Sequence, residues 1–286
     1  MTVMIDGRIV PPEQASVSVF DRGFLYGDSV FESLRSYGGV LFALDAHLTR
    51  LQRSAERVFI PLPLSLEALK QEIEQAVREH GAGEHYVRVT LTRGVGRSLG
   101  LDPELADQPL RVVMVTELAV PPNETYERGI AAITFRAERP SDAPAVADAK
   151  TGNYLLAVLA MRSARERSAH EALIEDHAGN ILEGATSNVF AVIHGKLRTA
   201  PDTAAILPGI TRGFVLALAK DAGLAVELRA IAKAELALAD EVFVCSSIRE
   251  LVPVVRIDGN PVGPGIPGPI TFDLLRRFRE AARRGE

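Results

Sequence analysis

Apolar residues recur three or four positions apart in two stretches of the first half of the chain. In "SLEALKQEIEQAVREHG" four apolar residues share one helical face, and Gly81 provides a stop signal. In "AHLTRLQRSAERV" two leucines, an alanine and a valine form the apolar face, and Arg50 lies beside that face. The spacing predicts helices over 45–59 and 65–80.

Strand-like runs alternate with these helices in two blocks. The first block has "VMIDG", a loop rich in glycine and aromatic residues ("DRGFLYGDSVFESLRSYGG"), "VLFAL", the two helices, "YVRVTLTRG" and "LRVVMVTEL". The second has a strand meander over "EALIEDHAGNILEGATSNVFAVIHGKLRT", a helix in "GITRGFVLALAKDAG", further strands and a final helix. This order predicts an α/β to α+β fold with two domains, 1–117 and 125–286, joined by a linker over 118–124.

Composition excludes several classes of function. The chain has 286 residues, a net charge of -5 and 47% hydrophobic residues, with no dense basic stripe typical of a nucleic-acid surface. The first residues, "MTVMIDGRIVPPE", do not resemble a signal peptide, and no apolar run reaches membrane length. One cysteine, Cys245, excludes an internal disulfide and suits a reducing compartment. We therefore expect a cytoplasmic protein without nucleic-acid or membrane partners.

Common catalytic motifs are missing from the sequence. "GVGRSLG" lacks the G-x-G-x-x-G spacing of a dinucleotide loop. The six histidines and the cysteine form no set with metal-ligand spacing, and there is no G-x-S-x-G elbow. We expect no metal site and no hydrolase or nicotinamide chemistry.

Lysine is rare in this chain, which has only five lysines among 32 basic residues. Four of them occur on polar faces, in turns or at helix ends. Lys150 instead stands at the head of the apolar, helix-like segment "VADAKTGNYLLAVLAMRSA". Burial favours the neutral amine that forms an imine with an aldehyde such as pyridoxal phosphate.

Such a cofactor needs a carboxylate at its ring nitrogen and donors for its phosphate. Glu183 lies in an apolar predicted strand, where it needs a cationic partner, either a pyridinium or a buried arginine. "LPGITRGF" predicts a helix whose first amides and the Thr211 hydroxyl could bind an anion, although many helices start this way. "CSS" adds two serine hydroxyls after a strand, which could equally cap a turn.

Eight segments in the same order resemble the class IV (fold type IV) pyridoxal-phosphate aminotransferases over nearly the whole chain. They are "DRGFLYGDSVFESLRSYGG", "HLTRL", "YVRVTLTRG", "AKTGNYL", "EALIEDHAGNILEGATSNVFAV", "LPGITR", "ADEVFVCSS" and "VPVVRIDG". The resemblance implies a two-domain fold with the cofactor between the domains. It also implies a homodimer or higher homo-oligomer, in which a partner loop completes each site.

Roles for individual residues follow from the same resemblance. Lys150 would be the Schiff-base lysine and proton carrier, Tyr154 would bind the ring hydroxyl, and Glu183 would hold the ring nitrogen protonated. The remaining cofactor ligands would be Arg50, Leu207, Ile210, Thr211, Ser246 and Ser247. The substrate-binding residues would be Tyr26, Phe31, Ser33, Arg88, Arg93 and Arg249.

The substrate is less defined than the cofactor. Arg88 matches a branched-chain-type position, Arg93 matches the "TRG" arginine of D-amino-acid transaminases, and Arg249 could bind a carboxylate; an ordinary surface role stays open for each. We expect amino-group transfer between an L-branched-chain or D-amino acid, or an (R)-primary amine, and a 2-oxo acid such as 2-oxoglutarate or pyruvate. Ser33 keeps open an alternative, an aminodeoxychorismate lyase that forms 4-aminobenzoate and pyruvate.

Overall fold

The computed structural model describes residues 1–136 and 148–284, which form two compact units. Unit 1 contains Met1–Ala119 and Asp148–Asn153, and unit 2 contains 120–136 and Tyr154–Arg284. The predicted bounds of the two domains stay a prediction. In this division the segment that carries Lys150 lies in unit 1.

Unit 1 is a six-stranded sheet with two long helices. Its strands are β1 (Thr2–Ile5), β2 (Arg8–Val10), β3 (Ser29–Tyr37), β4 (Val40–Leu41), β5 (His85–Thr92) and β6 (Leu110–Glu117), in the order β2-β1-β6-β5-β3-β4. Its helices are α1 (Arg22–Tyr26), α2 (Leu44–Arg57) and α3 (Leu66–His80), with short 3-10 turns at Pro12–Gln14 and Pro103–Leu105.

The two helices predicted from periodicity are confirmed. Ser65 caps the start of α3 by accepting a hydrogen bond from the Ala68 amide, and Gly81 ends it at φ +102°. Their apolar faces pack on one side of the sheet. The resulting core includes Val30, Leu34, Leu48, Leu51, Leu69, Ile73, Val87 and Val89.

Strand β3 was wrongly predicted to be a loop. All but two of its nine residues are buried, so its polar residues do not alternate with exposed positions as they do in a half-buried strand. Ser29, Glu32 and Ser36 are buried beside apolar neighbours, and this breaks the period of two. Conversely, the predicted strand "VLFAL" contributes only Val40–Leu41, because Leu44 begins α2.

Unit 2 is built on a ten-stranded mixed sheet. Its strands are β7 (Ile130–Arg136), β8 (Glu171–Glu175), β9 (Asn180–Gly184), β10 (Asn188–Ile193), β11 (Lys196–Thr199), β12 (Val226–Leu228), β13 (Ile231–Ala232), β14 (Glu241–Ser246), β15 (Glu250–Ile257) and β16 (Asn260–Pro261). The order is β12-β11-β10-β14-β15-β7-β8-β9-β13, and β16 pairs with β15. The helices are α4 (Asn123–Arg128), α5 (Leu155–Glu166), α6 (Ile210–Asp221) and α7 (Pro269–Arg284), with a 3-10 helix at Lys233–Leu238.

The helix predicted after Lys150 begins later than its apolar composition indicates. Helix α5 starts at Leu155, so Lys150 lies in an extended segment before it. This segment pairs with the edge of β3 through a bridge between Val30 and Thr151. Within the described part of the chain, no helix is both long enough and apolar enough to cross a membrane.

Candidate active site

The backbone of Lys150 is held between α2 and β3 in unit 1. Its amide donates to the Ser54 hydroxyl at 3.1 Å, and its carbonyl accepts from the Phe31 amide at 3.0 Å. The half-buried side chain places its Nζ 4.7 Å from the centre of the Phe31 ring. Two elements of the core therefore fix the backbone from which the amine extends.

A buried carboxylate on β3 holds the arginine predicted to bind phosphate. Glu32 accepts from Arg50 Nε at Oε1 and from Arg50 Nη2 at Oε2, each at 2.7 Å, and His47 Nδ1 lies 2.7 Å from Oε2. Glu32 has no exposed surface. Burial alone would raise the pKa of Glu32, but Arg50 and His47 outweigh it and hold that pKa at about 2. The guanidinium of Arg50 is therefore fixed by a charged, bidentate contact.

Four side chains lie on the face of β3 and β5 opposite to Glu32, namely Phe31, Ser33, Tyr86 and Arg88. Arg88 pairs across the strands with Ser33, whose hydroxyl lies 3.1 Å from the Tyr86 hydroxyl. The Arg88 guanidinium stacks on Phe31, with Cζ 3.7 Å from the ring centre. Phe31 thus contacts both Arg88 and Lys150, and the described residues provide no hydrogen-bond acceptor for the Arg88 guanidinium.

Arg93 is engaged in the structure of a loop. It donates to both oxygens of Asp28 at 2.7 and 3.0 Å, and to the carbonyls of Val58 and Phe59 at 2.7 and 2.6 Å. Burial would raise the pKa of Asp28, but Arg93 and Arg22 outweigh it and lower that pKa. A carboxylate ligand of Arg93 would have to displace these contacts.

Tyr26 lies in the same part of unit 1. Its hydroxyl accepts from the Gly100 amide at 3.2 Å, and Arg22 donates to the Gly100 carbonyl at 2.7 Å. Tyr26 therefore helps to hold the loop around Gly100.

In unit 2, the Glu183 carboxylate accepts from the Leu207 amide at 3.1 Å. Asn188 donates to the Leu207 carbonyl at 2.9 Å and approaches Gly209 so closely that a Cβ there would lie 2.0 Å from Asn188 Oδ1. The loop before α6 is thus tied to the strand that carries Glu183. Because of this close approach, position 209 has no room for a side chain and requires glycine.

The N-terminus of α6 fits an anionic group such as a phosphate. Gly209 precedes the helix and provides no side-chain cap. The Thr211 hydroxyl is buried and has no hydrogen-bond partner among the described residues. Since buried polar groups are normally paired, these donors match a ligand that accepts hydrogen bonds.

The remaining predicted residues of unit 2 lie at two further points. Tyr154 directly precedes α5 and is half-buried. Ser246 ends β14, and Ser247 follows in the turn to β15. Arg249, in the same turn, pairs with Glu171 and donates to the Thr186 hydroxyl at 3.1 Å.

Comparison with known proteins decides the family. The sequence profile of amino-transferase class IV matches residues 29–257. The chain belongs to the class IV aminotransferases.

Relatives in this family act on different amino acids. The chain is 39% identical over 283 residues to a putative branched-chain-amino-acid aminotransferase from Methanocaldococcus jannaschii, covering 98% of this chain and 96% of the relative. It is 37% identical to a D-alanine aminotransferase from Bacillus licheniformis, covering 96% and 94%. Nothing in these comparisons favours the aminodeoxychorismate lyase.

Solved structures of the family share the fold. The branched-chain aminotransferase of Escherichia coli superimposes with a TM-score of 0.90 at 32% identity, covering 97% of this chain and 93% of that one. The T.th. branched-chain aminotransferase with pyridoxamine 5'-phosphate gives 0.91 at 31% identity, covering 100% and 95%. The predicted fold type IV is confirmed.

Sequence reasoning missed the residues that hold the predicted ligands. Glu32 and Glu171 received no role, although each is a carboxylate within an apolar run ("SVFESL" and "HEALIE"), the signal that singled out Glu183. Asn188 stood inside a recognised motif without a role. Such residues contact ligands only through other side chains, which a linear pattern does not reveal.

We predict that Glu32 makes the stability of the protein depend on acid pH. Its folded pKa of about 2 lies below the ordinary value of 4.5. Its contribution is therefore present above pH 4.5 and is lost as the pH falls towards 2. Chemical unfolding should show wild type losing about 3 kcal/mol more than Glu32→Gln over this range.

Glu56→Gln is the matched control, because Glu56 lies exposed on α2. It should follow wild type. Parallel loss of stability in wild type and Glu32→Gln would contradict a charged Glu32 in the folded protein.

Proposed function

We propose that this aminotransferase transfers an amino group between an amino acid and a 2-oxo acid at a site centred on Lys150. The supporting observation is that the backbone of Lys150 is held by α2 and β3, the same two elements that carry the fixed Arg50 and the Phe31 ring beside Lys150 Nζ. Branched-chain and D-amino acids are the proposed donors, and 2-oxoglutarate or pyruvate the acceptor, since relatives carry both names. We extend the proposal to (R)-primary amines and to a cytoplasmic location, the latter from the single buried cysteine.

Pyridoxal 5'-phosphate is the cofactor of this family, and the residues present fit it. We propose that Lys150 forms the imine, Glu183 pairs with the ring nitrogen and Tyr154 binds the ring hydroxyl. Leu207 would pack against the ring. The phosphate ligands would be Arg50, the Ile210 and Thr211 amides, the Thr211 hydroxyl, Ser246 and Ser247.

When bound, the cofactor supplies an electron sink for the substrate's α-carbon. The chain's own task is to move a proton. Lys150 Nζ would take the proton from the α-carbon of the donor and return one to the acceptor's carbon. Glu183, held by the Leu207 amide, would keep its charge directed at the ring nitrogen.

We propose that Arg88 binds the substrate carboxylate. It shares the Phe31 ring with Lys150, and within the described chain its guanidinium has no carboxylate partner. Arg93 is already engaged by Asp28 and two carbonyls, and Arg249 by Glu171. That Arg249 or Arg93 binds a carboxylate stays a prediction, as do substrate roles for Tyr26 and Ser33.

We also propose that two copies of the chain associate through unit 1. Phe24, Leu99 and Leu101 expose 66%, 70% and 76% of their surface. Arg22 fixes this loop through the Gly100 and Leu101 carbonyls, so apolar side chains are presented on a rigid support. Sedimentation of the purified protein tests the proposal, and a monomer at micromolar concentration would contradict it.

A donor screen tests the function directly. L- and D-amino acids and (R)-1-phenylethylamine are each supplied with 2-oxoglutarate or pyruvate, and the new amino acid is measured. We expect transfer from at least one amino-acid donor. Pyruvate release from aminodeoxychorismate without any transfer would instead identify the lyase.

Lys150→Ala should abolish both turnover and the visible absorption of the lysine-bound cofactor, because alanine has no side-chain amine with which to form the imine. Absorption spectra and the donor assay measure the two effects. Lys196→Ala is the control, since Lys196 pairs with Glu227 at the surface. A normal visible band in Lys150→Ala would move the imine to another lysine.

Arg88→Ala should raise the Michaelis constant for 2-oxo acids and amino acids by about ten- to a hundredfold, the loss of a charge-assisted carboxylate contact. The half-reaction with (R)-1-phenylethylamine, which has no carboxylate, should change little. Arg78→Ala, an exposed arginine of α3, is the control. Equal losses with both donor classes would give Arg88 a structural role.

A further inference from the structure

Glu171, the first residue of β8, has a carboxylate with no exposed surface in unit 2. Its Oε1 accepts from the Ala172 amide at 3.0 Å. Its Oε2 accepts from the Ser187 hydroxyl at 3.0 Å and pairs with the Arg249 guanidinium. A charge buried to this degree is stable only with such partners. Glu171, Ser187 and Arg249 therefore form one hydrogen-bonded cluster.

On one side, this cluster contacts Gly184, the residue after Glu183. The Gly184 amide donates to the Ser187 carbonyl at 2.7 Å, which closes the turn between β9 and β10. A Cβ at Gly184 would lie 2.1 Å from Ser187 Oγ and 3.2 Å from Glu171 Cδ. The carboxylate and the serine therefore pack directly on the backbone that carries Glu183.

On the other side, the cluster includes Arg249, which lies in the turn that carries Ser247. Arg249 extends from this turn to Glu171 and to the Thr186 hydroxyl. The backbone of Arg249 is held as well, because its amide donates to Ser246 Oγ at 3.4 Å and its carbonyl accepts from the Tyr126 hydroxyl at 3.2 Å. Glu171 thus holds this turn through one guanidinium.

We propose that Glu171 is a positioning residue that sets the spacing between Glu183 and Ser247, acting through Ser187 and Arg249. The inference rests on the proposed function, in which Glu183 binds the ring nitrogen and Ser247 the phosphate of one cofactor molecule. Pre-positioned groups bind more tightly because less freedom is lost on binding. Removing the charge of Glu171 therefore weakens cofactor binding.

Glu171→Gln tests this role, with Glu175→Gln as a matched control. Both carboxylates lie on β8, and Glu175 is also buried and pairs with Lys233 at 3.1 Å. The dissociation constant of pyridoxal 5'-phosphate from the apoprotein and the unfolding midpoint are measured for each. Both variants should lose stability, but only Glu171→Gln should raise the dissociation constant, by about tenfold.

Arg249→Gln and the double variant Glu171→Gln, Arg249→Gln test the route. Because Glu171 acts largely through Arg249, the double variant should have about the same cofactor affinity as whichever single variant binds the cofactor less tightly. Additive losses would overturn a shared route. If Glu171→Gln does not fold, Ser187→Ala removes one hydrogen bond and should weaken binding about threefold, near the lower end for one such bond.

An unchanged dissociation constant in Glu171→Gln, or in Ser187→Ala in its place, would overturn the proposal and leave the proposed function intact, provided that wild type binds the cofactor. Failure of wild type itself to bind pyridoxal 5'-phosphate would overturn both.

Discussion

The bidentate pair between Glu32 and Arg50 organises the part of the site that lies in unit 1. Both carboxylate oxygens are used, and the pair joins the core face of β3 to α2. One helical turn beyond Arg50, Ser54 holds the Lys150 amide, and Phe31, next to Glu32, holds the Lys150 carbonyl. The same two elements therefore place Arg50, the proposed phosphate ligand, and Lys150, the proposed imine-forming lysine.

Removing one partner of a buried pair costs about 3–5 kcal/mol, because the other charge is left uncompensated. Such a pair resists rearrangement, and this favours a site whose cations are fixed before any ligand arrives. Unit 2 contains a second buried carboxylate that pairs with an arginine, Glu171 with Arg249. There the held element is a turn and not a helix.

The sequence was sufficient for the features that follow a simple period or a motif. Helices α2, α3 and α6 and strands β5 and β6 were all predicted. Strand β3 was missed because burial on both faces removes alternation, and α5 begins late because apolar composition does not mark where a helix starts. The roles of Arg93 and Arg249 depend on partners distant in sequence, Asp28 and Glu171, and no local pattern connects such pairs.

The central claim is that Glu32 presents Arg50 as an anion ligand for the cofactor. The most direct measurement is the dissociation constant of pyridoxal 5'-phosphate for Arg50→Ala and for the double variant Arg50→Ala, Glu32→Gln, with the exposed Arg53→Ala as control. The double variant should recover the stability that Arg50→Ala loses and yet bind the cofactor at least about tenfold more weakly than wild type. Wild-type affinity in the double variant would contradict the account, because Arg50 would then serve only to neutralise Glu32.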